Sequence, residues 1–141
     1  MLGNPPLPAG RGAVVFNLTQ ASSVPMNLDR GTTTLLFGPH NGARNVDIHI
    51  NVIALDAGCG PCHYHERSEN VYIVLEGSLE VWIEGVRYIL GRDDVAFIPA
   101  GLRHCAGTAA DSSKPARVIE IYAPPGPDFH VVDDQDRTCG A

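Results

Sequence analysis

The clearest pattern in this chain is alternation. Val46, Ile48, Ile50 and Val52 alternate with Asp47, His49 and Asn51, and period two over that length predicts a strand through 46–55 with one apolar and one polar face. Shorter apolar runs at 14–18, 32–37, 71–75, 79–83, 86–90, 95–98, 103–106 and 117–122 predict further strands. Turn residues separate them: Glu76-Gly77-Ser78, Glu84-Gly85, Pro99-Ala100-Gly101 and the Pro124 to Pro127 cluster. No stretch carries sustained helical periodicity, and no segment repeats in tandem. Many short strands joined by Gly and Pro turns predict an all-β sandwich or barrel. The polar face bearing His49 is expected at the surface or rim, as polar strand faces generally are, with lining of the cavity as the other reading.

Length changes this picture little: 141 residues make one domain with room for an ordinary core. Residues 1–12 are rich in Pro and Gly and predict a flexible N-terminal arm; the barrel is expected over 13–127, and 128–141 as a C-terminal tail. Net charge is -6, and no two Lys or Arg residues are adjacent. Phosphate-backbone binding needs a basic surface, so nucleic acid is not an expected partner. No apolar run approaches a membrane span, and the N-terminus lacks a signal-peptide pattern, so a cytoplasmic protein is expected. That compartment favours reduced thiols for Cys59, Cys62, Cys105 and Cys139. The run Cys59-Gly-Pro-Cys62-His63 spells both a redox and a haem-attachment pattern. The first wants a βαβ context that is missing; the second leaves the other histidines unexplained.

Candidate chemistry rests on three histidines. His63 and His65 are spaced i, i+2, which puts both imidazoles on one face of a strand. His104 arrives from a second apolar strand through Pro99-Ala-Gly101-Leu-Arg-His104. Three such imidazoles can converge on one ion, and neutral imidazole suits zinc, iron, nickel, copper and manganese to different degrees. Tyr72 lies on the inward face of the strand after His65, with core packing as the alternative. Phe97 and Trp82 read as packing residues.

Two segments also resemble a known family. The run from Gly58 through His63-Tyr64-His65 to Val74-Leu75-Glu76-Gly77 is similar to the first cupin motif, and Asp93 through Pro99-Ala-Gly101 to His104 to the second. The resemblance implies a double-stranded β-helix of the jelly-roll type, with one divalent metal inside the barrel and pairing into a homodimer. Three positions depart from the family pattern. Where the family carries a glutamate ligand, counting back from Gly77 gives Asn70, while a shorter gap after His65 gives Glu69. The strand from Val71 to Glu76 fixes the register so that Asn70 faces the metal and Glu69 points away. Asp93 replaces an opening glycine, and Thr108 stands where asparagine is common.

The resemblance therefore implies His63, His65, His104 and Asn70 as metal ligands. Four neutral donors leave the charge of a divalent ion uncompensated, which favours an anionic, chelating, oxygenated small molecule. Loss of the glutamate resembles three-histidine iron dioxygenases, and that chemistry is the leading expectation. The rival is a non-redox isomerase, epimerase, cyclase or lyase in which His49 or Tyr72 moves a proton. A third reading is a non-catalytic binding cupin.

Overall fold

The computed structural model describes residues 12–133. The arm expected over 1–12 falls almost wholly outside them, as do the last residues of the chain. Among the described residues, eleven strands form two sheets, and neighbouring strands run antiparallel throughout. One sheet has the order β1 (Ser23–Pro25), β2 (Gly31–Phe37), β3 (Asp47–Ile53), β10 (Ala116–Ala123), β5 (Glu69–Glu76), β8 (Val95–Ile98). The other runs β11 (His130–Val131), β4 (His63–Tyr64), β9 (His104–Thr108), β6 (Leu79–Ile83), β7 (Val86–Leu90). Two facing antiparallel sheets with non-sequential strand order are the jelly-roll arrangement.

The alternation sets which side chains meet between the sheets. Tyr72 and Val74 of β5, Ile98 of β8, Leu79 and Val81 of β6, and Val118 of β10 form the buried core. Burying such residues supplies the main drive to fold, about 25 cal/mol per Å² of apolar surface. In β3 the expected orientation is reversed. His49 and Asn51 are buried, at 8% exposure each, and share their face with the core residue Ile53. The polar face points inward because β10 places Glu120 opposite His49 across the ladder, which gives the buried polar atoms partners.

Other expectations shift as well. Residues 14–18 form no strand; a short 3-10 turn begins at Leu18. Phe97 is 56% exposed and does not pack inside. Residues 128–131 enter the fold directly, since Asp128 is buried and β11 pairs with β4. Asp93 has φ +73°, the left-handed conformation that explains a glycine at that turn position in the family pattern. Gly107 of β9 has a different cause: a Cβ there would lie 2.1 Å from the Gly58 carbonyl oxygen. That close approach lets the 58–62 loop lie on β9 and deliver His63 beside His104.

Candidate metal centre

β4 and β9 pair through a single rung, His63 opposite His104. Cross-strand partners share a face, and the two rings lie 4.4 Å apart between centroids. His65, two residues on, turns to the same side, 5.0 Å from the His63 ring and 5.2 Å from the His104 ring. All three are buried. One ligand atom from each lies within 4.8 Å of the others.

Each ring is held by its Nδ1. His63 Nδ1 donates to the Pro61 carbonyl at 2.8 Å, His65 Nδ1 to Asp128 O at 2.7 Å, and His104 Nδ1 to Leu102 O at 2.9 Å. A carbonyl can only accept, so each ring carries its proton on Nδ1 and leaves Nε2 as a bare lone pair. His63 Nε2 and His65 Nε2 are buried with no hydrogen-bond partner. His104 Nε2 faces Asn70 Oδ1 at 3.1 Å. Protonating His104 would turn that contact into a hydrogen bond, but burial, foremost, and the neighbouring His65 hold its pKa below the ordinary value. Burial and then His104 push His63 down to about 4. With Nδ1 of each ring tied to a carbonyl, three Nε2 atoms and an amide oxygen face one another. The three imidazoles are grouped so that they could hold one metal ion, and the N and O donors of the set suit a divalent transition metal.

Asn70 is fully buried at 0% exposure, whereas Glu69 is exposed. The strand register thus turns Asn70 to the cluster and Glu69 away. Asn70 Nδ2 donates to the Ile121 carbonyl at 3.1 Å and to Glu120 Oε2 at 3.3 Å. Glu120, which the sequence pattern did not single out, is the charged centre of the cavity. Its Oε1 accepts from His49 Nε2 at 2.9 Å and from Asn51 Nδ2 at 2.8 Å. Burial pushes the Glu120 carboxyl up, but the hydrogen bond and charge of His49, with donation from Asn70 and Tyr122, hold it well below the usual carboxylate range. His49 also donates through Nδ1 to Asp47 at 3.1 Å. Burial pulls His49 down, yet Glu120 and Asp47 together raise it above its ordinary value, and both ring nitrogens face carboxylate oxygens. Burial first, then Glu120, keeps the Tyr72 and Tyr122 phenols protonated well beyond neutral pH.

His49, Asn51, Tyr72, Glu120 and Tyr122 line a cavity of about 770 Å³ that His63 also reaches; apolar residues such as Met26, Ile53, Leu79 and Val118 wall the rest. Arg30, equally unmarked in the sequence pattern, lines it too, with a buried Nε that lacks a hydrogen-bond partner. A smaller cavity of about 290 Å³ opens beside His65, with Tyr122 and Phe129 common to both. Phe129 stacks on His63 at 4.1 Å. The loop carrying it is tied down by Asp128, whose carboxylate accepts from the backbone N–H groups of Glu66, Arg67 and Ser68. Cys62 and Cys105 pack together away from the imidazoles. Cys62 is disulfide-bonded, a correction to the expectation of reduced thiols, because the fold and not the spacing decides which sulfurs meet. Cys59 and Cys105 keep their thiols, so Cys59 and Cys62 do not close a redox disulfide with each other.

A cupin-domain family model matches residues 52–122, half of the chain. The chain belongs to the cupin family. That interval holds His63, His65, Asn70, His104 and Glu120, while His49 lies just outside it. The cupin is 29% identical to the tetracenomycin polyketide synthase protein TcmJ of Streptomyces glaucescens, over 87% of this chain and 83% of that protein. It is 37% identical to quercetin 2,3-dioxygenase of Bacillus subtilis (strain 168), but over 45% of this chain and only 20% of that protein's length. Among solved structures, the polyketide cyclase RemF from Streptomyces resistomycificus superposes with a TM-score of 0.72 at 22% identity, over 84% of each chain. KdgF from Halomonas sp. gives 0.70 at 19% identity, covering 83% of this chain and 97% of that one. At these identities the superpositions establish the fold.

Proposed function

We propose that this cupin is a metal-dependent enzyme that cyclises or otherwise rearranges an oxygenated, anionic, polyketide-like molecule without redox chemistry. The observation that carries the reading is the cluster of four lone-pair donors beside a largely apolar cavity of about 770 Å³ whose polar end holds the Tyr72 phenol and the His49–Glu120 pair. His63, His65, His104 and Asn70 would hold one divalent ion, and such an ion polarises a carbonyl as a Lewis acid.

The chain's own residues suit proton traffic around that carbonyl. Tyr72 and Tyr122 keep their hydroxyl protons, which they direct at Glu120, and a developing oxyanion within reach would compete for them. His49 spends both ring N–H groups on Asp47 and Glu120 and holds that carboxylate in the cavity wall. Tyr72 therefore serves as the hydrogen-bond donor, with His49 setting the charge behind it. Arg30 adds positive charge to the wall and favours an anionic substrate. The apolar walls bind carbon rings and exclude water. TcmJ and RemF support this direction by their names, and TcmJ by the span of the match.

Three-histidine dioxygenase chemistry is the second reading, favoured by the local match to the quercetin enzyme. One experiment separates the two. The metal-loaded protein is incubated with an aromatic poly-β-ketone, with and without dioxygen, and the product mass is measured. Turnover without dioxygen and a product at substrate mass, or lighter by water, supports the cyclase reading. A strict need for dioxygen with its atoms in the product overturns it. The working assembly in this reading is a homodimer.

A further inference from the structure

Glu120 sits at the crossing of three strands. In the ladders it is paired with His49 of β3 on one side and Tyr72 of β5 on the other, and its neighbour Tyr122 is paired with Asn70. It is 5% exposed. A buried carboxylate must be fully satisfied to be tolerated, and here it is surrounded by donors. Oε1 takes the His49 and Asn51 donors and Oε2 takes Asn70 Nδ2, while the Tyr72 and Tyr122 hydroxyls add to the same carboxylate.

The consequence falls on the Asn70 amide. Its nitrogen faces two pure acceptors, Glu120 Oε2 and Ile121 O. Its oxygen is thereby left facing His104 Nε2, whose own proton donor is committed to Leu102. Rotating the amide by half a turn would set its oxygen against two acceptors and let its nitrogen donate to the His104 lone pair. That rotamer would quench the donor set. Glu120 opposes it together with the Ile121 carbonyl, and of the two only Glu120 adds a full negative charge.

We propose that Glu120 is a positioning residue for the metal centre: it locks the Asn70 amide so that Oδ1, not Nδ2, joins the three imidazoles. This rests on the reading of His63, His65 and His104 as metal ligands, and it assigns to β10 a carboxylate that acts through an amide in place of a ligating glutamate. Partners of ligands that orient them this way commonly govern metal affinity by about tenfold to a hundredfold.

Glu120→Gln tests this arrangement. His49 and Asn51 still need an acceptor, so the new amide keeps its oxygen toward them and turns its NH2 to Asn70. Two NH2 groups then meet, and Asn70 flips. Zn(II) affinity, measured by chelator competition, should fall about tenfold or more, and the Co(II) absorption spectrum should change to that of Asn70→Ala. Adding Asn70→Ala to Glu120→Gln should cost nothing further. The exchange Asn70→Asp with Glu120→Gln keeps one buried carboxylate and restores the donor–acceptor match between these two positions, at the expense of the hydrogen bond to the Ile121 carbonyl; the added ligand charge should still recover Zn(II) affinity to the wild-type level. This swapped pair also covers the case in which Glu120→Gln alone folds poorly, as judged by circular dichroism. An unchanged Zn(II) affinity in folded Glu120→Gln overturns the proposal. So do additive losses with Asn70→Ala, or failure of the swapped pair to recover. Absence of Zn(II) or Co(II) binding by the wild-type protein would instead overturn the metal reading beneath it.

Discussion

His63 shows how much a single side chain's surroundings decide. Its Nδ1 is tied to Pro61, its ring is stacked by Phe129, and its Nε2 faces the other imidazoles. Burial and His104 lower its pKa from 6.5 to about 4. The unfolded chain therefore binds a proton at His63 between pH 6.5 and 4 that the folded chain does not. Stability rises with pH across that window and falls as pH drops through it. A tenfold difference in proton affinity between the two states is worth about 1.4 kcal/mol, so His63 accounts for about 3 kcal/mol lost from neutral pH down to its folded-state pKa in metal-free protein. Denaturant unfolding of His63→Gln over this range should show a correspondingly shallower pH dependence; an unchanged slope would contradict the assignment. Residue identity alone made the three histidines legible, since i, i+2 spacing and the Pro-x-Gly-x-x-His turn are local signals. Glu120 was hidden for the opposite reason. Between Ile119 and Ile121 it reads as the solvent side of a strand, and its donors His49, Asn51 and Asn70 lie 71, 69 and 50 residues away.

At the scale of strands, the alternation told which residues share a face but not which face is inside. β5 was legible because Tyr72 and Val74 sit between turns that fix the register, which also placed Asn70 inward and Glu69 outward. β3 was not, because its polar face turns inward while Ile50 on the other face is buried as well. The same geometry makes the outer face of the larger sheet apolar. Phe97 is paired with Val71, Val95 with Ile73, and Ile119 and Ile121 stand beside these across the β10–β5 ladder. Val95 and Phe97 are 60% and 56% exposed. An apolar face of this breadth suits a second copy of the chain, which is the assembly proposed above. Replacing Phe97 and Val95 together by Glu should convert a dimer to a folded monomer by light scattering at micromolar concentration. A wild-type monomer would contradict the proposal, as would a variant that still pairs.

For the whole molecule, two sheets closing over one another bring His63 of β4, His65 just after it, His104 of β9 and the Asn70 amide of β5 to one point. The 58–62 loop reaches it because Gly107 lets the loop lie against β9, and the 124–129 loop because Asp128 anchors it to the start of β5. Ends and loops carry weaker sequence signals than alternating strands, which is why Phe129, Asp128 and Arg30 went unread while the barrel itself was expected. Among the described residues no helix is long and apolar enough to cross a membrane. The barrel's core strands supply most of the fold's stability, so the centre can be dismantled without unfolding the chain.

That separability defines the decisive measurement: metal content per chain, by elemental analysis, of the wild-type protein and of the His63→Ala/His65→Ala variant purified side by side. The expected result is one ion per chain in the wild type and none in the variant, with the strand signature in circular dichroism retained by both. Full occupancy in the folded variant, or a wild-type protein that takes up no divalent ion, would contradict the metal centre.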